Sequence, residues 1–258
     1  VAIFGYAQTL YTLPVSLFGM SVSAAELPAM SSVIGSDAEV AEWLRGRLAG
    51  GLRRIAFFVI PSAAAFVLLG DTIAAGLFQS GQFDRSDSVR VWATLAGSSV
   101  GLLAQTWARL YSSTWYALKD TRTPLRIAFI RVVLTTALGW VMAVQAPVWF
   151  GIDAQWGVAG LTASAGIAGW IEYILLRRSL DARIGRTGIA AGIIPRLWGA
   201  AAVAGLAGVL VKLGTSTLHP IVAATLTCGA FGTTYLAVTA AMGMEEVRPI
   251  LRKLRIGR

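Results

Sequence analysis

With a single cysteine, Cys228, the chain cannot close a disulfide within itself. With a single histidine, His219, it cannot assemble an ordinary zinc or haem site from its own side chains, so no metal and no cofactor are expected. Charge is sparse as well: Asp, Glu, Lys and Arg make up 14% of the residues, against about a quarter in soluble domains, which argues against a soluble globular fold. No acidic cluster has metal-binding spacing, no nucleophile stands beside a base, and His219 falls in a predicted outer loop; an enzyme is not expected. The opening VAIFGYAQTLYTLPVSLFGMS has neither an initiator Met nor a basic stretch ahead of its apolar one. No cleavable secretory signal is expected, and the chain reads as part of something longer.

What the chain has in quantity is hydrocarbon. Hydrophobic residues are 56% of the total and the mean hydropathy is +0.67, values of a membrane-embedded protein. A bilayer core about 30 Å thick needs roughly 20 apolar residues in a helix. Seven stretches meet or approach that length, at 3–29, 55–78, 89–118, 125–144, 158–176, 197–213 and 221–242, so an all-α bundle of seven transmembrane helices is expected. The third stretch is the least apolar, with Ser98, Ser99, Gln105, Thr106, Arg109, Ser112, Ser113 and Thr114, and should face protein or water rather than lipid.

The net charge of +9 could suggest nucleic acid, but its distribution makes that unnecessary. When alternate loops are assigned to opposite sides, segments 37–54, 119–126, 177–196 and 248–258 hold most of the basic residues. The other side has only Arg85, Arg90 and Lys212. The positive-inside rule then places the first group, and with it the C-terminus, in the cytoplasm.

The stretch YALKDTRTPLR, residues 116–126, reads as a tight cytoplasmic turn between two spans. Lys119, Asp120 and Arg122 crowd the turn, Thr123 is expected to cap the next helix, and Pro124 to take its first position, where a missing N–H costs nothing. Lys119, Arg122 and Arg126 would sit among lipid headgroups. Segment 37–50 fits an amphipathic helix on the cytoplasmic surface, capped by Ser36 or Asp37, with Val40, Trp43, Leu44 and Leu48 on one face. A second interfacial stretch is expected at 184–196.

Ionisable groups at membrane depth cost about 2.5–3.5 kcal/mol at a helix centre, so each needs a reason. Arg109 lies ten residues before Lys119, about 15 Å deep, which implies a hydrated substrate-facing cavity or a buried partner. Arg131 and Glu172 are placed nearer the cytoplasm, roughly 7–9 Å from the ends of neighbouring antiparallel spans, and are expected to form a structural ion pair, while Glu26 is expected at the interface. Gly157, Gly160, Ala163, Gly166 and Gly169, spaced by three, make a smooth helix face for close packing. Pro14 and Pro61 are expected to kink their helices.

Three segments together, GYAQTLYTLPVSLFGMSVSAAELPAMSS, GDTIAAGLFQSGQFDRSDS and WYALKDTRTPLRIA, resemble the second half of the MurJ/MviN lipid II flippases. The FxxGxFD at 78–84 and the YAxxDTRTP at 116–124 carry most of that likeness, which is strongest from Gly5 to Ala128. The resemblance implies half of a fourteen-helix exporter-superfamily fold, corresponding to its helices eight to fourteen, in the bacterial inner membrane. Residues 1–181 would form the transport lobe, and 182–258 the last two helices with a basic tail. It further implies lipid II as substrate, moved by alternating access through a cationic cavity shared with an N-terminal lobe, with the polyprenyl tail in a groove beside the last two helices. Membrane lipids, the N-terminal lobe and cell-wall synthesis proteins are the implied partners. Substrate contacts are expected from Arg109, which matches a basic position of the family, and from Gln8 and Gln105. Thr9 stands where the family usually has Arg, and Thr135 and Gly139 stand where some members have sodium-binding side chains, so no sodium site is expected in this half. A flippase of another polyprenyl-linked glycan and a non-transporting membrane scaffold for cell-wall synthesis remain as alternative readings.

Overall fold

The computed structural model describes residues 2–79, 83–151, 153, 156–215 and 217–249. The basic tail residues Arg252, Lys253, Arg255 and Arg258, and Gly81 of the FxxGxFD motif, lie outside the described residues. Helices α1 (Ala2–Pro14), α2 (Ser21–Ser31), α3 (Asp37–Phe78), α4 (Arg85–Ala117), α5 (Arg122–Trp140), α6 (Ala146–Phe150), α7 (Gly157–Ile184), α8 (Ile193–Gly214) and α9 (Pro220–Ala241) stack into seven long rods. Two rods are composite: a π-helical segment, Val15–Met20, joins α1 to α2, and another, Val141–Gln145, joins α5 to α6. Among the described residues six rods are long and apolar enough to cross a membrane; α4, the seventh, has the length but is too polar to meet that measure. The protein is an all-α, multi-pass membrane bundle.

Prolines shape two rods differently. Pro14 has no N–H to give, and the chain beyond it widens into the π segment, which absorbs the defect without breaking the rod. Pro61 sits buried inside α3, which runs on through it. The expected separate surface helix over 37–50 does not form; that stretch is the opening third of the 42-residue α3. The reason is register. Leu44, Leu48, Leu52, Ile55 and Val59 are all buried and keep one helical stripe across the Gly50–Gly51 pair, so packing outweighs the glycines' low helix propensity. Ser36 does cap this helix: its hydroxyl accepts from Glu39 N–H while Glu39 Oε2 accepts from Ser36 N–H at 2.8 Å.

Helix α4 is the spine, packed against α3 on one side and α7 on the other, with α1 and α2 across it. Most of its hydroxyls bond back to their own helix: Ser98 to Thr94 O, Ser99 to Leu95 O, Thr106 to Leu102 O and Thr114 to Leu110 O. Indole and phenol donors staple the rods by bonding carbonyls of neighbouring helices, Trp107 Nε1 to Leu52 O at 3.1 Å, Trp170 Nε1 to Val100 O at 2.7 Å and Tyr235 OH to Phe57 O at 2.7 Å. Gly101 of α4 and Gly166 of α7 meet backbone to backbone, so closely that a Cβ on either would clash.

The α8–α9 hairpin leans on α3. Lys212 reaches both Asp71 carboxylate oxygens at 2.7 Å at one end, and Arg53 holds Glu245 at 3.2 Å and Glu246 at 2.8 Å at the other. The turns at 32–36, 118–121, 185–192 and 242–249 gather at one end of the bundle, the basic end. Glu26, expected at the interface, is 3% exposed instead: Arg47 lies 2.9 Å and Arg54 3.1 Å from its two oxygens, so the carboxylate ties α2 to α3.

Candidate functional site

The YALKDTRTP turn is built around Asp120. At the end of α4, Lys119 takes a left-handed conformation (φ 60°), and the N–H groups of Lys119 and Asp120 bond back to Tyr116 O and Trp115 O, closing the helix as a Schellman motif. Asp120 then caps α5 with its side chain. Oδ1 accepts from Arg122 N at 2.8 Å and Thr123 N at 3.0 Å, and Oδ2 from the Thr123 hydroxyl at 2.7 Å. Thr123 is therefore not the cap, and Pro124 stands third rather than first in the helix, still among the N–H groups that lack intrahelical partners. The Thr123 hydroxyl, with the Thr123 and Arg122 N–H groups, holds the Asp120 carboxyl below the usual carboxylate range.

Inward from this turn lies a cavity of about 470 Å³. Met20, Ser23, Ala24 and Leu27 form one wall; Gln105, Arg109, Ser112, Ser113 and Tyr116, at helical spacing on one face of α4, form the next. Arg131 from α5 and Glu172 from α7 complete it. Arg131 Nη1 donates to Glu172 Oε2 at 2.9 Å, and Glu172 is 8% exposed. Gln105 is oriented by Tyr11, whose hydroxyl donates to Gln105 Oε1 at 2.9 Å. Arg109 is different: its guanidinium makes no ion pair or hydrogen bond among the described residues. The cavity thus holds two cations and one anion, with one guanidinium uncommitted. Behind it Trp107, Tyr111 and Tyr173 pack ring on ring, with centroids 5.2 Å (Trp107–Tyr173) and 5.6 Å (Tyr111–Tyr173) apart, and seal α4 against α7.

The structure brings Arg109, Gln105, Arg131 and Glu172 into one chamber and leaves Gln8 out of it. Ala7, Leu10 and Pro14 are the buried stripe of α1, so Gln8 projects from the open side, in a separate groove with Thr9, Thr12 and Ser16. Thr9 bonds back to Gly5 O at 3.0 Å and Thr12 to Gln8 O at 2.7 Å. Sequence reasoning missed Tyr11, Ser23 and Tyr116, and it read Arg131–Glu172 as separate from Arg109. Counting from Arg126 and Arg177 set the pair nearer the basic end than Arg109; α5 begins at Arg122 and α7 ends at Ile184, which brings the three groups to comparable depth. Among the described residues no group of three or more His, Cys, Asp and Glu side chains could hold a metal ion.

The family model described as lipid II flippase MurJ matches residues 1–234. A probable lipid II flippase MurJ of Rhizobium meliloti is 27% identical, over 98% of this chain and 47% of its own length. A probable lipid II flippase MurJ of Vibrio cholerae is 28% identical over 68% of the chain and 31% of its own, and the lipid II flippase MurJ of Burkholderia cenocepacia 29% identical over 69% and 32%. Among solved structures, a lipid II flippase MurJ in an inward closed conformation shares the fold, with a TM-score of 0.74 at 21% identity over 94% of this chain and 47% of that one. The chain spans about half the length, or less, of the relatives it matches.

Proposed function

This chain belongs to the lipid II flippase MurJ family, and from that premise we propose that it is one lobe of a flippase for lipid II, the polyprenyl-diphosphate-linked peptidoglycan precursor. The cargo moves from the cytoplasmic to the outer leaflet of the bacterial inner membrane by alternating access. The basic end, with the C-terminus, faces the cytoplasm, where the positive-inside rule puts it. A second lobe covers the open side of α1, and membrane lipids cover the apolar outer face of α5, where Leu125, Phe129, Val132 and Trp140 are exposed.

The observation that carries this reading is the guanidinium of Arg109, exposed to a polar chamber with an excess positive charge and making no ion pair or hydrogen bond among the described residues; ten residues in from Lys119, it belongs at membrane depth. The one carboxylate in the chamber, Glu172, is bonded to Arg131, so Arg109 has no anion of its own; a diphosphate entering the chamber supplies the missing charge through short, bidentate, charge-assisted hydrogen bonds. Gln105, Ser112 and Ser113 add neutral polar groups beside it.

The test is replacement in cells depleted of the native protein. Re-expressed Arg109→Ala should leave lipid II on the inner leaflet, whereas Arg122→Ala, altered in the turn, should restore translocation. Full restoration by Arg109→Ala refutes the reading. Normal translocation in depleted cells that receive no copy favours a scaffold.

A further inference from the structure

We infer that Glu172 is a displaceable internal counter-anion: it occupies Arg131 while the cavity is empty, and an entering diphosphate takes its place, releasing the tie between α5 and α7. The inference rests on reading the Arg109 chamber as a diphosphate site and goes beyond it by assigning the ion pair a part in the cycle.

Three features support the exchange. The pair faces the chamber, since Arg131 and Glu172 line the same cavity as Arg109. It is held by one hydrogen bond, Nη1 to Oε2 at 2.9 Å, and the other guanidinium N–H groups of Arg131 have no partner among the described residues. A phosphate oxygen can therefore engage Arg131 before Glu172 lets go, so the Arg131 cation is at no point left unpaired. Finally, α5 is attached to the body chiefly through α7 and barely touches α4.

The α5–α7 junction has two parts. Toward the end opposite the turn, Gly157 and Gly160 of α7 lie directly against the carbonyls of Ala143 and Met142, with no room for a Cβ, and Gly139 faces Leu161. That contact is wide and close-packed, and suits a pivot. Nearer the basic end, the Arg131–Glu172 bond crosses the same junction. Breaking it while the glycine contact holds lets α5 swing away from α7 at the basic end only. Occupancy by an anion is thereby linked to movement of one helix.

The experiment uses the protein in nanodiscs, in a Cys228→Ser background. Spin labels go on cysteines replacing Arg126 and Arg178, exposed positions of α5 and α7 outside the cavity. Inorganic pyrophosphate and farnesyl diphosphate are the probes. Glu172→Gln should bind at least one probe about tenfold more tightly than wild type, because the internal competitor is gone. Its label-to-label distance without ligand should match that of ligand-bound wild type. Loss of a like charge tightens binding even for a merely structural pair, so the distance decides: such a pair predicts no ligand-dependent distance change, and that result, or weaker binding by Glu172→Gln, overturns the inference. Should Glu172→Gln not fold, Arg131→Gln/Glu172→Gln, which leaves no unpaired charge, should show the widened distance with weakened binding; an unwidened distance overturns the inference equally. Arg109→Ala separates the two readings. If it leaves binding of both probes unchanged, the diphosphate site itself is wrong. If it weakens binding while Glu172→Gln fails to tighten it, only the exchange is wrong.

Discussion

Replacing Glu26 by Gln should destabilise the bundle measurably, and the structure sets the size of the effect. The carboxylate is 3% exposed and faces Arg47 at 2.9 Å and Arg54 at 3.1 Å. Removing one partner from a buried ion pair costs about 3–5 kcal/mol, mostly from the charge left behind. Here the charges left behind are cations whose side chains are 36% (Arg47) and 60% (Arg54) exposed, so water re-solvates them in part and the cost falls to about 2–3 kcal/mol. In a chain of this size each kcal/mol moves the midpoint by about 2–4 °C, giving a drop of about 5–10 °C. Tryptophan fluorescence of the detergent-solubilised protein during heating reads it directly. Arg54→Gln, which removes only the more exposed partner, should cost about 1 kcal/mol or less. The consequence reaches the cavity, because Ser23, Ala24 and Leu27 of the same helix form its wall and are held in place from behind by Glu26. A midpoint for Glu26→Gln within 2 °C of wild type would show that α2 is held by packing alone.

Asp120→Asn should lower the melting midpoint at neutral pH. Because the folded-state carboxyl is held below its ordinary value, its contribution is fully present above the unfolded value, about 3.9, and is lost as pH falls through the lower folded value. The gap between wild type and variant should therefore stay constant from pH 7 to about pH 5 and close in more acidic melts; a gap that widens with acid contradicts the capping role. Glycine positions offer a paired comparison. Gly160→Val, against the Met142 carbonyl, should abolish the folded yield or cost about 1–3 kcal/mol, whereas Gly199→Ala, with open space around it, should be neutral or stabilising by up to about 1 kcal/mol. Thermal melts of the two variants check both, and equal behaviour would refute the glycine-contact description of the α5–α7 junction.

The number and kind of rods were legible because apolar length is a one-dimensional property of the chain. Boundaries that depend on three-dimensional competition were not. The continuity of α3 through Gly50 and Gly51 came from packing against α4, where Leu110, far away in sequence, sits directly against Gly51. The capping of α5 went to Asp120 rather than Thr123 because the left-handed turn at Lys119 brings the carboxylate, not the hydroxyl, over the free N–H groups. Glu26 looked interfacial because it stands near the end of its span, yet α3 extends past that end and brings two arginines over it. Gln8 belongs to the GYAQTLYTLP segment that carries part of the family resemblance, but one chain cannot show which side of α1 turns toward α4.

The polarity of α4 shows which polar residues in a membrane helix point to a cavity. Of those that marked the span as unusual, Ser98, Ser99, Thr106 and Thr114 satisfy themselves on carbonyls one turn back and do no more than permit tight packing against α3 and α7. A short hydroxyl side chain always has that option; a long amide or guanidinium does not, since its donors stand too far from its own helix. Gln105 therefore needs Tyr11 from another rod, and Arg109 needs something the described residues do not supply. The two lie four residues apart, on one face, with Ser112 and Tyr116 continuing it. Serine and threonine counts thus overstate the cavity-facing surface of a span, whereas Gln and Arg at one-turn spacing locate it. The same logic explains how the chamber stays polar within an apolar bundle: its charged groups arrive from α4, α5 and α7, so no single helix carries the insertion cost of all of them.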